Sequence, residues 1–214
     1  GWLSAHTALP VFCLDYRLAP RHRFPTAADD AHAGWEWLQH QGFRPERLAV
    51  AADSAGGHLA VDLLVHGGQP HPAALCLFSP LVDLTFDTAR GRERDRPDPA
   101  IRAHHAARLV QLYCHRTDPG HPRLAHDITT ARTFPPTLIQ AGGAEMLAAD
   151  AQLLADRIRA TGAHCDLQIW PDQVHVFQAL PRLSPEATRA IREAARFLCA
   201  AIPVDAEEQS ACGH

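Results

Sequence analysis

The stretch Leu48-Ala49-Val50-Ala51-Ala52-Asp53-Ser54-Ala55-Gly56-Gly57-His58-Leu59 decides how this chain is read. An apolar run stops at Asp53-Ser54, two glycines follow, and apolar residues then recur at helical spacing at Leu59, Val61, Leu63 and Leu64. This is a buried strand that turns sharply into a helix with a serine at the apex. Such a turn lifts a hydroxyl clear of the sheet and sets the first N–H groups of the helix where an oxyanion would form. The Ala55 N–H is the oxyanion donor this stretch supplies. Gly56 and Gly57 let strand and helix backbones approach closely. Ala52 stands where the G-x-S-x-G pattern has its first glycine. The plainer reading is a strand–turn–helix whose Ser or Asp merely caps the helix.

The 214 residues are 46% hydrophobic, enough for one sizeable core and short for two domains. One α/β catalytic domain is expected over 1–202, with a polar tail at 203–214. A net charge of −4 gives no reason to expect nucleic acid, and no apolar run approaches a membrane span. Cys13, Cys76, Cys114, Cys165, Cys199 and Cys212 are scattered. Cys13 and Cys76 lie in apolar runs, which reads as buried thiols in a reducing cytoplasm rather than a disulfide framework.

Strand-like runs alternate with helical ones. Val11–Tyr16 reads as a buried strand, Ala27–His40 as an amphipathic helix, and Arg47–Asp53 as the strand before the serine. A strand follows at Ala73–Ser79. Residues 81–135 are rich in Arg, Asp, His and Pro and read as an irregular cleft wall with one helix from Pro99 to about Cys114. A strand at 136–142, a helix at Met146–Thr161, a strand at Cys165–Trp170 and a helix from Pro185 to about Ala201 complete the chain. This order implies a mostly parallel sheet with helices on both faces.

In such a sheet functional groups gather beyond the carboxyl ends of the strands. Ser54, Glu145 and His175 each follow one. A serine hydroxyl is a poor nucleophile until an imidazole accepts its proton, and a carboxylate must fix that imidazole's tautomer. Among 15 histidines, His175 is singled out by its place after the last strand, between Val174 and Val176. Glu145 also suits a helix N-terminus, where an acid is favoured by the dipole. Asp150 is the rival carboxylate, a turn and a half further along. His104, His105, His115, His121 and His126 lack paired metal-ligand spacing, so no metal is expected, and no cofactor is implied because chemistry by serine, histidine and acid needs none.

With these residues in place the chain resembles the hormone-sensitive-lipase-like branch of the α/β-hydrolases. The resemblance rests on Asp15-Tyr-Arg-Leu-Ala-Pro20, Phe24-Pro-Thr-Ala-Ala-Asp-Asp30, Asp53-Ser-Ala-Gly-Gly57, Ser79-Pro-Leu-Val-Asp-Leu-Thr85, Gly142-Gly-Ala-Glu145 and Val174-His-Val-Phe177. It implies a carboxylic ester hydrolase for short and medium acyl esters, with Ser54 as nucleophile, His175 as base and Glu145 as acid. A small-molecule ester is then the partner, with oligomeric state unread. The same residues also serve lactone or amide hydrolysis, and the family includes non-catalytic receptors that have lost the histidine. The family's His-Gly-Gly-Gly loop is not found within 1–214. The resemblance places it upstream of residue 1, on a strand between Val11–Tyr16 and Arg47–Asp53, so that this chain reads as a fragment with a gap in mid-sheet.

Overall fold

The computed structural model describes residues 1–68, 70–131 and 133–203. Its sheet has four strands, β1 (Ala49–Asp53), β2 (Ala74–Phe78), β3 (Thr137–Gly142) and β4 (Cys165–Trp170), in the order β1-β2-β3-β4. Every pairing is parallel, with Asp53 opposite Phe78, Phe78 opposite Gln140, and Gly142 opposite Trp170. The two inner strands are buried along their whole length, as strands covered on both faces must be.

Alternation along the strands divides the core. Leu75, Leu77, Ile139 and Ala141 point to one face, where α3 (Ala55–His66) and α6 (Ala148–Ala160) supply Val61, Leu64, Leu154 and Ile158. Ala74, Cys76, Phe78 and Leu138 point to the other, under Ile191, Ala194 and Leu198 of α7 (Pro185–Ala201). The short α1 (Trp2–Thr7) packs on α7, and α2 (Thr26–His40) on α3. A mostly parallel sheet with helices on both faces is therefore the architecture.

The expected strand at Val11–Tyr16 does not form. Its backbone pairs with no strand, and β1 stands as the sheet edge among the described residues. A run of apolar residues encodes burial, but a strand also needs a neighbour for its N–H and C=O groups. Val11 and Phe12 are each 49% exposed, and Phe12 stacks on Trp37 of α2 at 5.3 Å. Cys13 is exposed as well, against the expectation of a buried thiol, whereas Cys76 is buried.

Residues 81–135 are more ordered than their composition implies. Besides α5 (Ala103–Cys114), which starts later than the expected Pro99, they hold α4 (Asp87–Asp95). Of α4 only Ala89 is buried, so no apolar stripe announces it. Polar contacts hold it instead: Glu93 accepts the Ala103 N–H, and Arg96, just past the helix, pairs with Asp172 at 2.6 Å. The expected polar tail lies, from residue 204 on, outside the described residues.

Candidate active site

Ser54 sits between β1 and α3 with φ 50° and ψ −119°. A non-glycine residue here carries strain of about 1–3 kcal/mol, which the surrounding structure must hold in place. It is held from both sides. The Ser54 N–H donates to Phe78 O at 3.0 Å, and Ser54 O accepts from the N–H groups of Gly57 and Leu81. Gly57 is obligatory for the fit, since a Cβ there would lie 2.7 Å from Pro80 Cβ. The methyl of Ala52 is accommodated with room to spare: even a Cβ built on Gly56 would lie 3.5 Å from it, an ordinary contact.

His175 follows β4 and reaches both partners. Its Nε2 lies 2.9 Å from Ser54 Oγ and its Nδ1 lies 2.6 Å from Glu145 Oε2. With the proton on Nδ1, the ring donates to the carboxylate and accepts from the serine hydroxyl. Glu145 is fully buried and the His175 side chain 13% exposed. Asp150 is elsewhere: its Oδ2 accepts the N–H groups of Val82 and Asp83, each at 2.9 Å. Burial pushes its carboxyl up to about 6 against the pull of those two donors.

Ala55, the first residue of α3, presents an N–H with no acceptor inside the helix. Beside it opens an apolar cavity of about 270 Å³, lined by Ala55, Leu59, Leu81, Leu84, Val110 and Tyr113 among others.

The residues that steady Glu145 carry no strong sequence signal. Ser79, at φ 49° past the end of β2, donates to Glu145 Oε1 at 2.7 Å and accepts from the Val176 N–H at 3.0 Å. The Gly142 N–H also donates to Oε1. Arg92 of α4 forks onto two carbonyls of the acid loop, Glu145 O at 2.8 Å and Gly143 O at 2.6 Å. Asp98 accepts the Met146 N–H at 2.8 Å. Ser79 could be found from its place at a strand end; nothing in the run of arginines around Arg92 sets one apart.

A parallel sheet of this order, with a strained serine at a strand–helix turn joined to a histidine and a buried carboxylate, defines an α/β-hydrolase. The chain belongs to the alpha/beta hydrolase fold family, whose model matches residues 2–179. It is 36% identical over 209 residues to the carboxylesterase/phospholipase LipF of Mycobacterium tuberculosis, covering 92% of this chain and 55% of LipF. It is likewise 36% identical to the esterase LipU of that organism over 205 residues, covering 92% of this chain and 69% of LipU. Among solved structures, an esterase from the bacterial hormone-sensitive lipase family superposes with a TM-score of 0.87 at 33% identity, covering 95% of this chain and 69% of that one. EstE5 soaked with p-nitrophenyl butyrate superposes with a TM-score of 0.85 at 34% identity, covering 94% and 68%. The chain thus spans about half the length of LipF. No helix among the described residues is long and apolar enough to cross a membrane.

Proposed function

We propose that this chain carries the catalytic centre of a serine carboxylic ester hydrolase that works through an acyl-enzyme. The supporting observation is the unbroken hydrogen-bonded line from Ser54 Oγ through His175 to Glu145. Ser54 Oγ attacks the ester carbonyl while His175 Nε2 takes its proton. Glu145, buried and fixed by Ser79 and Gly142, stabilises the imidazolium that forms. The Ala55 N–H faces the developing oxyanion, the alcohol leaves with the proton held on Nε2, and water repeats the cycle on the acyl-enzyme.

The apolar cavity beside Ala55 supports a short to medium acyl chain as the substrate group. At about 270 Å³ it lies near the small end of ligand sites, with room for a few methylenes between mostly apolar walls. An intact His175 favours hydrolysis over simple binding of a ligand.

The test is turnover of p-nitrophenyl acetate and butyrate by the purified chain beside Ser54→Ala, together with labelling by a fluorophosphonate probe. Serine-dependent labelling and turnover are expected. Labelling or hydrolysis that persists undiminished in Ser54→Ala overturns the assignment.

A further inference from the structure

Apart from Ser54, Glu145 and His175, a cluster of side chains of metal-ligating type lies along α3. His58, Asp62 and His66 follow one another at intervals of four residues and so share one face of the helix. Across from them the segment after Arg123 brings in His126. The ligand atoms of Asp62, His66 and His126 all lie within 4.8 Å of one another. We infer that these three residues form a site for a divalent transition ion of the zinc type.

Two observations point to a ligand rather than to ordinary packing. The His126 side chain is 3% exposed, yet neither of its ring nitrogens makes a hydrogen bond of proper length and angle. A buried imidazole in that state costs free energy unless something fills the gap. Its Nδ1 faces Asp62 Oδ1 at 4.0 Å, too long for a hydrogen bond and close to what two ligands of one ion span. The second observation is His58, also buried, whose ring nitrogens likewise make no hydrogen bond of proper length and angle and whose ring centroid lies 4.3 Å from that of His126.

The donor set selects the ion. Two imidazoles and one carboxylate suit Zn²⁺, Co²⁺ or Ni²⁺, whereas Mg²⁺ and Ca²⁺ require mostly oxygen ligands. Around a tetrahedral ion bound at about 2.0–2.1 Å, neighbouring ligand atoms sit about 3.3 Å apart. The side chains therefore close by about an ångström on binding, and His66, which reaches solvent and touches Pro122 O at 3.1 Å, has the freedom to do so. The fourth position is open to water.

Charge does not oppose the ion. Arg123 forks onto both Asp62 oxygens, Nε to Oδ1 at 3.1 Å and Nη2 to Oδ2 at 2.8 Å, and also pairs with Asp29 at 2.7 Å, so two carboxylates share one guanidinium. His32 Nε2 lies 2.9 Å from Asp62 Oδ2, as a hydrogen-bond partner that orients a metal-bound carboxylate would. The set joins a helix to a distant loop, so no local spacing in the sequence reveals it.

The test is calorimetric titration of the untagged, chelator-treated chain with ZnCl₂, with the visible absorption of added Co²⁺ as a second readout. His66→Ala and His126→Ala are measured beside it, each checked for folding by thermal melting. One equivalent bound by the native chain, with an affinity lowered at least about tenfold in both variants, is the expected result. Absence of binding, or an affinity unchanged in either folded variant, overturns the site.

Discussion

Ser79 Oγ donates to Glu145 Oε1 at 2.7 Å from a residue that lies 66 positions away in sequence and past the end of a different strand. The same oxygen accepts the Val176 N–H, so one hydroxyl ties the acid loop to the histidine loop. Ser79 touches no reacting atom and acts by positioning. A hydrogen bond to a charged group contributes about 1.5–3 kcal/mol, so Ser79→Ala is expected to lower kcat about 10- to 100-fold. KM should hardly move, because the apolar cavity does not include Ser79. A rise in KM at constant kcat would remove Ser79 from this role.

Arg92 does for the backbone of the acid loop what Ser79 does for its carboxylate. Its planar fork meets the carbonyls of Gly143 and Glu145 together, which a lysine ammonium on a flexible stem cannot reproduce. Arg92→Ala should destabilise the fold by about 1–3 kcal/mol in urea denaturation, and Arg92→Lys should recover only part of that. Full recovery by lysine would mean that charge alone, rather than the two-pronged geometry, matters at this position.

What the sequence disclosed followed from burial and periodicity. β4 and α7 fall on the expected Cys165–Trp170 and Pro185–Ala201, the latter marked by a proline in the first turn and by Ser184, whose hydroxyl accepts the Ala187 N–H. Ser54, Glu145 and His175 are legible as a candidate set because parallel strands send functional groups to their carboxyl ends. Two elements depart from their sequence pattern for opposite reasons. Val11–Tyr16 has the composition of a strand and pairs with none among the described residues, whereas α4 has a neighbour to grip and almost no apolar face. Arg92 belongs to that second class, and long-range polar contacts of this kind leave no periodic trace.

The two glycines after Ser54 should behave differently when given a methyl group. At Gly57 a Cβ meets Pro80 Cβ at 2.7 Å and Pro80 Cα at 3.0 Å, and the proline ring has little freedom to move. Gly57→Ala should cost about 1–3 kcal/mol and displace the serine turn. At Gly56 the only near atom is Ala52 Cβ at 3.5 Å, an ordinary contact. Gly56→Ala should be neutral or stabilising by up to about 1 kcal/mol, through helix propensity. Thermal melts of the two variants, run side by side, separate close packing from conformational freedom as the reason for the glycine pair.

Asp150 makes a prediction about pH. Its carboxyl is pushed up to about 6 in the folded state, chiefly by burial, from an ordinary value of 3.8. Between those two values the folded chain binds more protons at this position than the unfolded one, so its contribution to stability falls as pH rises through the window. Below about 4 both states are protonated, and above about 6 both are charged, so the dependence levels off on either side. Asp150→Asn keeps an oxygen that can accept the Val82 and Asp83 N–H groups but cannot titrate. The stability of native chain minus variant, followed by urea unfolding from pH 4 to pH 7, should therefore decline with rising pH and then flatten. A difference that stays constant across the window would mean that Asp150 is charged throughout and that its two backbone donors outweigh its burial.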